Sequence, residues 1–196
     1  MNQIKATVRV TLCLIASIAT SHFVTAGLDA KLVDDFSDAQ NNSLGYPRQF
    51  VDDTASGGQT KVEQSVENGV FSLKGELIPA RGQPGWASAI LLLDPQGAPV
   101  DASLYEGVVL RVRINKGTLS VSANSSDVTN FDYHAAVIAR QTDGEFHEVK
   151  VPFASMKRTW SEQTPLNAKT LSSISLVSFG LQRGPFHFEV DEVRFY

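Results

Sequence analysis

At 196 residues, with 42% hydrophobic and 19% charged side chains, the chain is of the right size and composition for one folded domain with its own core. Its net charge of −4 argues against nucleic acid or an anionic membrane surface as a partner. Only one cysteine is present, Cys13, and it lies near the N-terminus, so the rest of the chain has no disulfide, thiolate metal site or cysteine nucleophile.

The N-terminus differs in kind from the remainder of the chain. Lys5 and Arg9 precede an apolar run over 10–19, and Val24-Thr25-Ala26 offers the small residues a signal peptidase reads. This pattern predicts a signal peptide over 1–26, cleaved before Gly27. A membrane anchor is the alternative, but the run is too short to span a bilayer comfortably. Thr11 and Leu12 beside Cys13 do not match a lipoprotein cleavage site. Removing 1–26 leaves 15 basic against 21 acidic side chains, a net charge of −6. The expectation is an exported protein, periplasmic or extracellular, with no stable membrane insertion once the signal is gone. It would have a single domain over 27–196 that relies on its core rather than on disulfides.

Taken in order, residues 31–36 predict a short strand expected to pair with the C-terminal one, followed by a polar loop over 37–43. Residues 46–53 are extended, with Pro47 placing their start at a sheet edge. The small-residue turn over 54–58 ends in Gly57-Gly58, a simpler reading than a phosphate cradle. Strands over 60–66 and 70–75 flank Asn68-Gly69, a strong hairpin signal. After a Pro/Gly-rich loop, 86–93 is a nearly continuous apolar run that predicts a central strand covered on both faces.

Residues 107–114 alternate clearly: Val108, Leu110, Val112 and Ile114 point one way, Val109, Arg111 and Arg113 the other. Asn115-Lys-Gly117 turns this strand into 118–124, where Leu119, Val121 and Ala123 oppose Ser120, Ser122 and Asn124. Strands over 131–140 and 146–152 flank Asp143-Gly144, and 153–169 is polar and irregular. In the final stretch, Ile174, Leu176 and Ser178 alternate with Ser175, Val177 and Phe179. Phe186, Phe188 and Val190 then alternate with His187, Glu189 and Asp191. The Gln182-Arg-Gly-Pro185 turn between them predicts an antiparallel hairpin closing the sheet, since so aromatic a strand left at an edge would aggregate. About ten evenly spaced strands indicate an all-β, antiparallel β-sandwich.

Four stretches, in order, resemble the complex I intermediate-associated protein 30 family. Val51-Asp-Asp-Thr-Ala-Ser-Gly-Gly58 is similar to its V-x-D-x-V-M-G-G-x-S turn, and Gly85-Trp-Ala-Ser88 to its G-F-A-S. Leu104-Tyr-Glu-Gly-Val-Val-Leu-Arg-Val-Arg113 is similar to Y-D-G-L-x-L-R-V-R. Val151-Pro-Phe153, with Gly184-Pro-Phe186 and the Glu-Val-Asp after it, resembles I-P-F and G-P-F-x-L-E-I-D. Departures occur at Ala55-Ser56, at Ile90 and at Lys157-Arg-Thr-Trp160. The resemblance implies a jelly roll of the galactose-binding-domain-like type and a non-catalytic role, since mitochondrial members are assembly chaperones for respiratory complex I. A more distant resemblance is to carbohydrate-binding modules of the same jelly-roll type.

Catalytic patterns are sparse. His134, His147 and His187 fall on different strands without metal spacing, and G-x-S-x-G is absent. Asp34, Asp35, Glu189 and Asp191 would lie together if the terminal strands pair. They could then hold a structural calcium, the one cofactor considered, or form a solvated acidic edge. The best binding candidate is a polar sheet face with Arg111, Arg113, Ser120, Ser122, Asn124, Tyr133 and Gln182, flanked by Trp86 and Trp160. Guanidinium groups, hydroxyls and an aromatic ring suit a sugar or a peptide. The plainer alternative makes the arginines solvated partners of cross-strand acids and Trp86 part of the core. The first expectation is an exported, non-enzymatic assembly or scaffold domain acting on protein. A carbohydrate-binding module using the polar face, and a hydrolase with an unrecognised site, are the alternatives.

Overall fold

The computed structural model describes residues 31–196; the expected signal peptide over 1–26 lies outside the described residues. Eleven strands occur among them, in chain order β1 (Leu32–Asp34), β2 (Gln49–Asp52), β3 (Lys61–Glu67), β4 (Val70–Leu77), β5 (Gly85–Leu92), β6 (Gly107–Lys116), β7 (Leu119–Ser125), β8 (His134–Ile138), β9 (His147–Pro152), β10 (Leu171–Gly180) and β11 (Gly184–Phe195). A first sheet runs β3-β4-β11-β6-β9 with β1 also on β11; a second runs β2-β5-β10-β7-β8. All pairings are antiparallel. The two sheets face each other across one core, forming a jelly-roll β-sandwich.

The alternations mark the inward faces correctly. Val108, Leu110, Val112 and Ile114 of β6, Leu119, Val121 and Ala123 of β7, and Phe186, Phe188 and Val190 of β11 are all buried in the core. Asn68 and Gly69 both have positive φ, 54° and 75°, as the tight turn joining β3 to β4 requires. The terminal strands pair as expected, with Leu32 opposite Arg194 and Asp34 opposite Val193.

The expected closing hairpin is not a hairpin. β10 pairs with β5 and β7, whereas β11 pairs with β1, β4 and β6. The link between them therefore crosses from one sheet to the other. The same holds for β6 and β7, whose crossing turn uses Gly117 at φ +71°. Alternation reveals which side of a strand is buried but not which strand lies beside it. Rows such as Ile174 and Leu176 on β10 and Phe186 and Phe188 on β11 meet across the core instead of side by side. Only β3–β4 and β7–β8 join sheet neighbours; every other connection changes sheet.

Two buried carboxylates pin the connections. Asp53, 3% exposed, accepts from Thr60 N at 3.1 Å, Thr60 Oγ1 at 2.7 Å and Trp86 N at 3.2 Å. It thereby ties the glycine turn to the start of β5. A Cβ on Gly58 would lie 2.2 Å from the Asp53 side chain, so the close approach demands glycine. Asp34 takes Arg48 bidentately, at 2.6 and 2.8 Å, with both side chains almost fully buried. The Arg48 guanidinium also lies 4.9 Å over the Phe36 ring, which stacks on Phe71.

Removing one member of such a pair leaves a buried charge uncompensated. Asp34→Ala is expected to lower stability by about 3–5 kcal/mol, and an Asp34→Leu, Arg48→Met double replacement by clearly less. Urea unfolding of the three proteins checks this: equal losses for the single and double variants would contradict it.

Candidate functional site

Each sheet has an outer face, and the two differ in chemistry. On the first sheet, Arg111 pairs with Asp191, and Arg113 with Glu189 at 2.7 Å. Both guanidiniums stand over the Phe146 ring, at 5.4 and 4.5 Å. Arg194 joins Glu148 and Glu192, Lys74 joins Glu63, and Arg183 joins Glu76. The Arg113 hydrogen bond holds the Glu189 carboxyl below its usual range, against burial and helped by Asn115. Asp191 is pushed up, chiefly by burial, against the pull of Arg111. This face is a lattice of cross-strand ion pairs.

The face proposed from sequence is thereby divided. β6 and β7 belong to opposite sheets, so Arg111 and Arg113 lie on one side of the molecule and Ser120, Ser122, Asn124, Tyr133 and Trp86 on the other. Gln182 is exposed in the link between β10 and β11 and belongs to neither face. The four candidate calcium carboxylates do not converge either. Asp34 is occupied by Arg48, Glu189 by Arg113 and Asn115, and Asp191 by Arg111. Asp35 accepts from Ser37 and Ser43, which hold its carboxyl low. The terminal strands pair, but β1 meets β11 only at Val193 and Arg194, while Glu189 lies opposite Ser72 and Arg113, and each carboxylate turns to its own cation or hydroxyl. Among the described residues no group of three or more His, Cys, Asp or Glu is arranged to hold a metal.

The outer face of the second sheet is a trough. Ser120, Ser122 and Asn124 on β7, Ser173 and Ser175 on β10, and Ser88 on β5 point away from the core, yet none is more than 7% exposed. Small polar residues that face outward and remain covered must lie below taller neighbours. On one side those neighbours are Trp86, Ile90 and Val51; on the other, Tyr133 and Val137; Phe179 stands at one end. Val137 is 61% exposed and Phe179 37%.

Asn124 organises the floor. Its Nδ2 donates to Ser173 Oγ at 2.9 Å and Ser175 Oγ at 2.7 Å, and its Oδ1 accepts from Ser122 Oγ at 2.8 Å. A serine hydroxyl accepts and donates at once, so Ser173 and Ser175 keep their own protons for a partner outside. Nothing in a single strand announced this floor. The available signal was the matching rows Ser120-x-Ser122-x-Asn124 and Ser173-x-Ser175, both on the polar side of apolar alternations. Sequence reasoning placed the first row, missed Ser88, Ser173, Ser175 and Phe179, and paired the row with the wrong strand.

Beyond β8 the rim is built by a latch. Asp132, 1% exposed, accepts from Thr159 N at 2.8 Å, Trp160 N at 3.0 Å and Ser161 N at 2.7 Å. Burial works to raise the Asp132 carboxyl, but these donors outweigh it and hold it low. Arg158 donates to Asp132 O and Asn130 Oδ1. The latch fixes the 157–161 segment against the residues leading into β8. Two aromatics stand free on it, Phe131 and Trp160, 78% and 68% exposed. Phe131 has φ +61°, a strained conformation for a bulky residue, and its ring meets Tyr133 edge-on at 6.4 Å.

A cavity of about 10 Å³ beside Val112, Ile138 and Val149 has room for at most one water. An open depression of about 310 Å³ lies over Lys74, Lys116, Phe186 and His187 on the first sheet. There His187 Nε2 is 3.3 Å from Ser72 Oγ, and burial, opposed by Glu189 and aided by Lys74, Arg113 and Lys116, leaves its pKa lowered. A hydrolytic serine–histidine pair also needs a third group to orient the imidazole. Glu189, the carboxylate that acts on His187, is held by Arg113 and Asn115.

The sequence profile of the complex I intermediate-associated protein 30 (CIA30) family matches residues 36–190. Among curated proteins no sequence matches. Solved structures do. One is the family 11 carbohydrate-binding module of the cellulosomal cellulase Lic26A-Cel5E of Clostridium thermocellum. It is 15% identical, with 87% of this chain and 95% of that one covered, at a TM-score of 0.60. A family 11 module from the same organism, in complex with a β-1,3-1,4-mixed-linked tetrasaccharide, is 16% identical over 85% of this chain and 94% of that one, TM-score 0.58. A family 30 carbohydrate-binding module is 14% identical over 86% and 99%, TM-score 0.51. At these identities the likeness is one of fold.

If the latch holds the rim, Asp132→Ala should free the 157–161 segment without unfolding the sandwich. The expected outcome is faster tryptic cleavage after Lys157 or Arg158 and a stability loss of about 1–3 kcal/mol, with the far-ultraviolet circular dichroism unchanged. Unaltered cleavage would show that the segment is held by something else.

Proposed function

Because this chain belongs to the complex I intermediate-associated protein 30 family, whose fold it shares with carbohydrate-binding modules, we propose that it is an exported, non-catalytic binding domain that holds a carbohydrate in the trough of its second sheet. The trough itself carries this reading. Its floor offers hydroxyls prearranged by Asn124, and its walls offer Trp86, Tyr133 and Phe179. Sugars present the complementary pair of surfaces, hydroxyl edges for hydrogen bonds and C–H faces for aromatic rings. Small floor residues leave depth for a ring to enter. The family 11 module of similar fold is in complex with a β-1,3-1,4-mixed-linked tetrasaccharide, which makes mixed-linked β-glucan the first probe. Export is supported by the segment over 1–26, with its basic residues, apolar run and Val24-Thr25-Ala26. Among the described residues no helix is long and apolar enough to cross a membrane.

A second reading follows from the family's assembly role and from the rim. Phe131 and Trp160 are 78% and 68% exposed on the two segments that the latch joins, and exposed apolar side chains grouped in this way fit a protein partner. Here the domain is a scaffold on which another protein docks against the rim rather than the floor.

The readings separate by mutation. Trp86→Ala and Phe179→Ala should each weaken binding of mixed-linked glucan about three- to tenfold, the loss of one aromatic contact. Arg111→Ala and Arg113→Ala should leave it unchanged. Affinity electrophoresis in glucan-loaded gels measures all four; binding lost only in the arginine variants would put the ligand on the opposite face.

A further inference from the structure

The strands of the trough present no charge. From Gln49 and Val51 on β2 to Ala135 and Val137 on β8, no outward-pointing strand position of the second sheet is Asp, Glu, Lys, Arg or His. The first sheet shows the opposite, with Arg111, Arg113 and Arg194 facing out among Glu189, Asp191 and Glu148. Two cations border the trough beyond β8: Arg158 is committed to Asp132 and Asn130, and Lys157, bridged to Ala135, stands outside the Val137 wall in solvent. The division is not forced by the sandwich, since the charged residues of the first sheet occupy equivalent outward positions.

We infer that the ligand is an uncharged polysaccharide, and that uronate, sulfated or amino-sugar polymers are refused. This rests on the carbohydrate reading and narrows it. A carboxylate, sulfate or ammonium lowered onto a floor of serines would lose its hydration without meeting a counter-charge, an expensive exchange. Hydroxyls, by contrast, find partners there. Ser173 and Ser175 have protons to give, and the aromatic walls accept the ring faces. At long range the net charge of −6 over 27–196 further disfavours polyanions. The floor lies chiefly along β7 and β10, between the walls of β5 and β8, so the trough axis follows these strands and an extended chain fits along it.

The test uses the protein over 27–196 against four polymers: mixed-linked β-glucan and xyloglucan as neutral chains, polygalacturonate as an anion and chitosan as a cation. Binding is measured by isothermal titration calorimetry between about 0.05 and 0.5 M salt, where exposed charge pairs become strongly screened. The expected result is binding to a neutral chain that changes less than twofold across that range, with both charged chains at least tenfold weaker. Trp86→Ala should reduce the neutral binding and Lys74→Ala, on the other face, should not. A charged polymer binding as tightly as the neutral ones, or with affinity that falls steeply in salt, overturns the inference while leaving carbohydrate recognition standing. Binding to none of the four overturns both.

Discussion

The inward row of β11 is the surface against which the rest of the sandwich is assembled. Phe186, Phe188, Val190, Val193 and Phe195 are all at most 1% exposed, and each such side chain contributes on the order of 1.5–3 kcal/mol by leaving water. The same strand hydrogen-bonds to β1, β4 and β6, so its register sets that of nearly the whole first sheet. Its row must be covered, and the covering comes from β10 and its neighbours in the opposite sheet, through Ile174, Leu176 and Val121. Crossing connections follow from that requirement. A chain segment with one apolar face is better served by a partner across the core than by a neighbour showing the same face.

That arrangement also decides where function can reside. With both inner faces spent on the core, the chain has two outer faces left, and its residues treat them differently. One is filled by ion pairs between neighbouring strands, which satisfy one another and leave little for a ligand. The other is paved with serines around a single asparagine and walled by aromatics. Exposed ion pairs contribute little stability, so the first face is best understood as a solvated exterior. Covered hydroxyls beneath taller rings make a surface with shape, and shape is what recognition needs.

Carboxylates serve this chain mainly as fasteners. Asp53 gathers the turn after β2 and the start of β5, Asp34 holds Arg48 beneath the N-terminal loop, and Asp132 collects three backbone amides of the segment carrying Trp160. In each case a loop that lacks regular hydrogen bonding finds its partner in one buried side chain, which answers the need of buried polar groups to be paired. The Gly57-Gly58 stretch of the family motif is explained by the first of these, since a side chain at Gly58 would displace the Asp53 carboxylate. Phe131 and Trp160 owe their position to the third, so the geometry of the rim depends on a buried carboxylate.

Period-two alternation determined the all-β class and the inward residues of β6, β7, β10 and β11, and the Asn68-Gly69 turn its hairpin, because these depend on local sterics and on each strand having one apolar side. The family likeness was also legible, since its motifs are short and contiguous. Strand partners were not, because alternation is the same whether a strand's neighbour lies beside it or across the core. That ambiguity put Arg111 with Ser122 on one imagined face, whereas the imagined metal site of Asp34 and Glu189 failed on register, since β1 meets β11 only near Val193 and Arg194. Only the tertiary structure could decide that β6 and β7 part company, that Ser173 and Ser175 join Asn124, and that the strands of one outer face carry charge while those of the other carry none. The physical reason is that a binding face is a property of several strands at once, and the order in which strands lie together is settled by which apolar rows cover one another in the closed core.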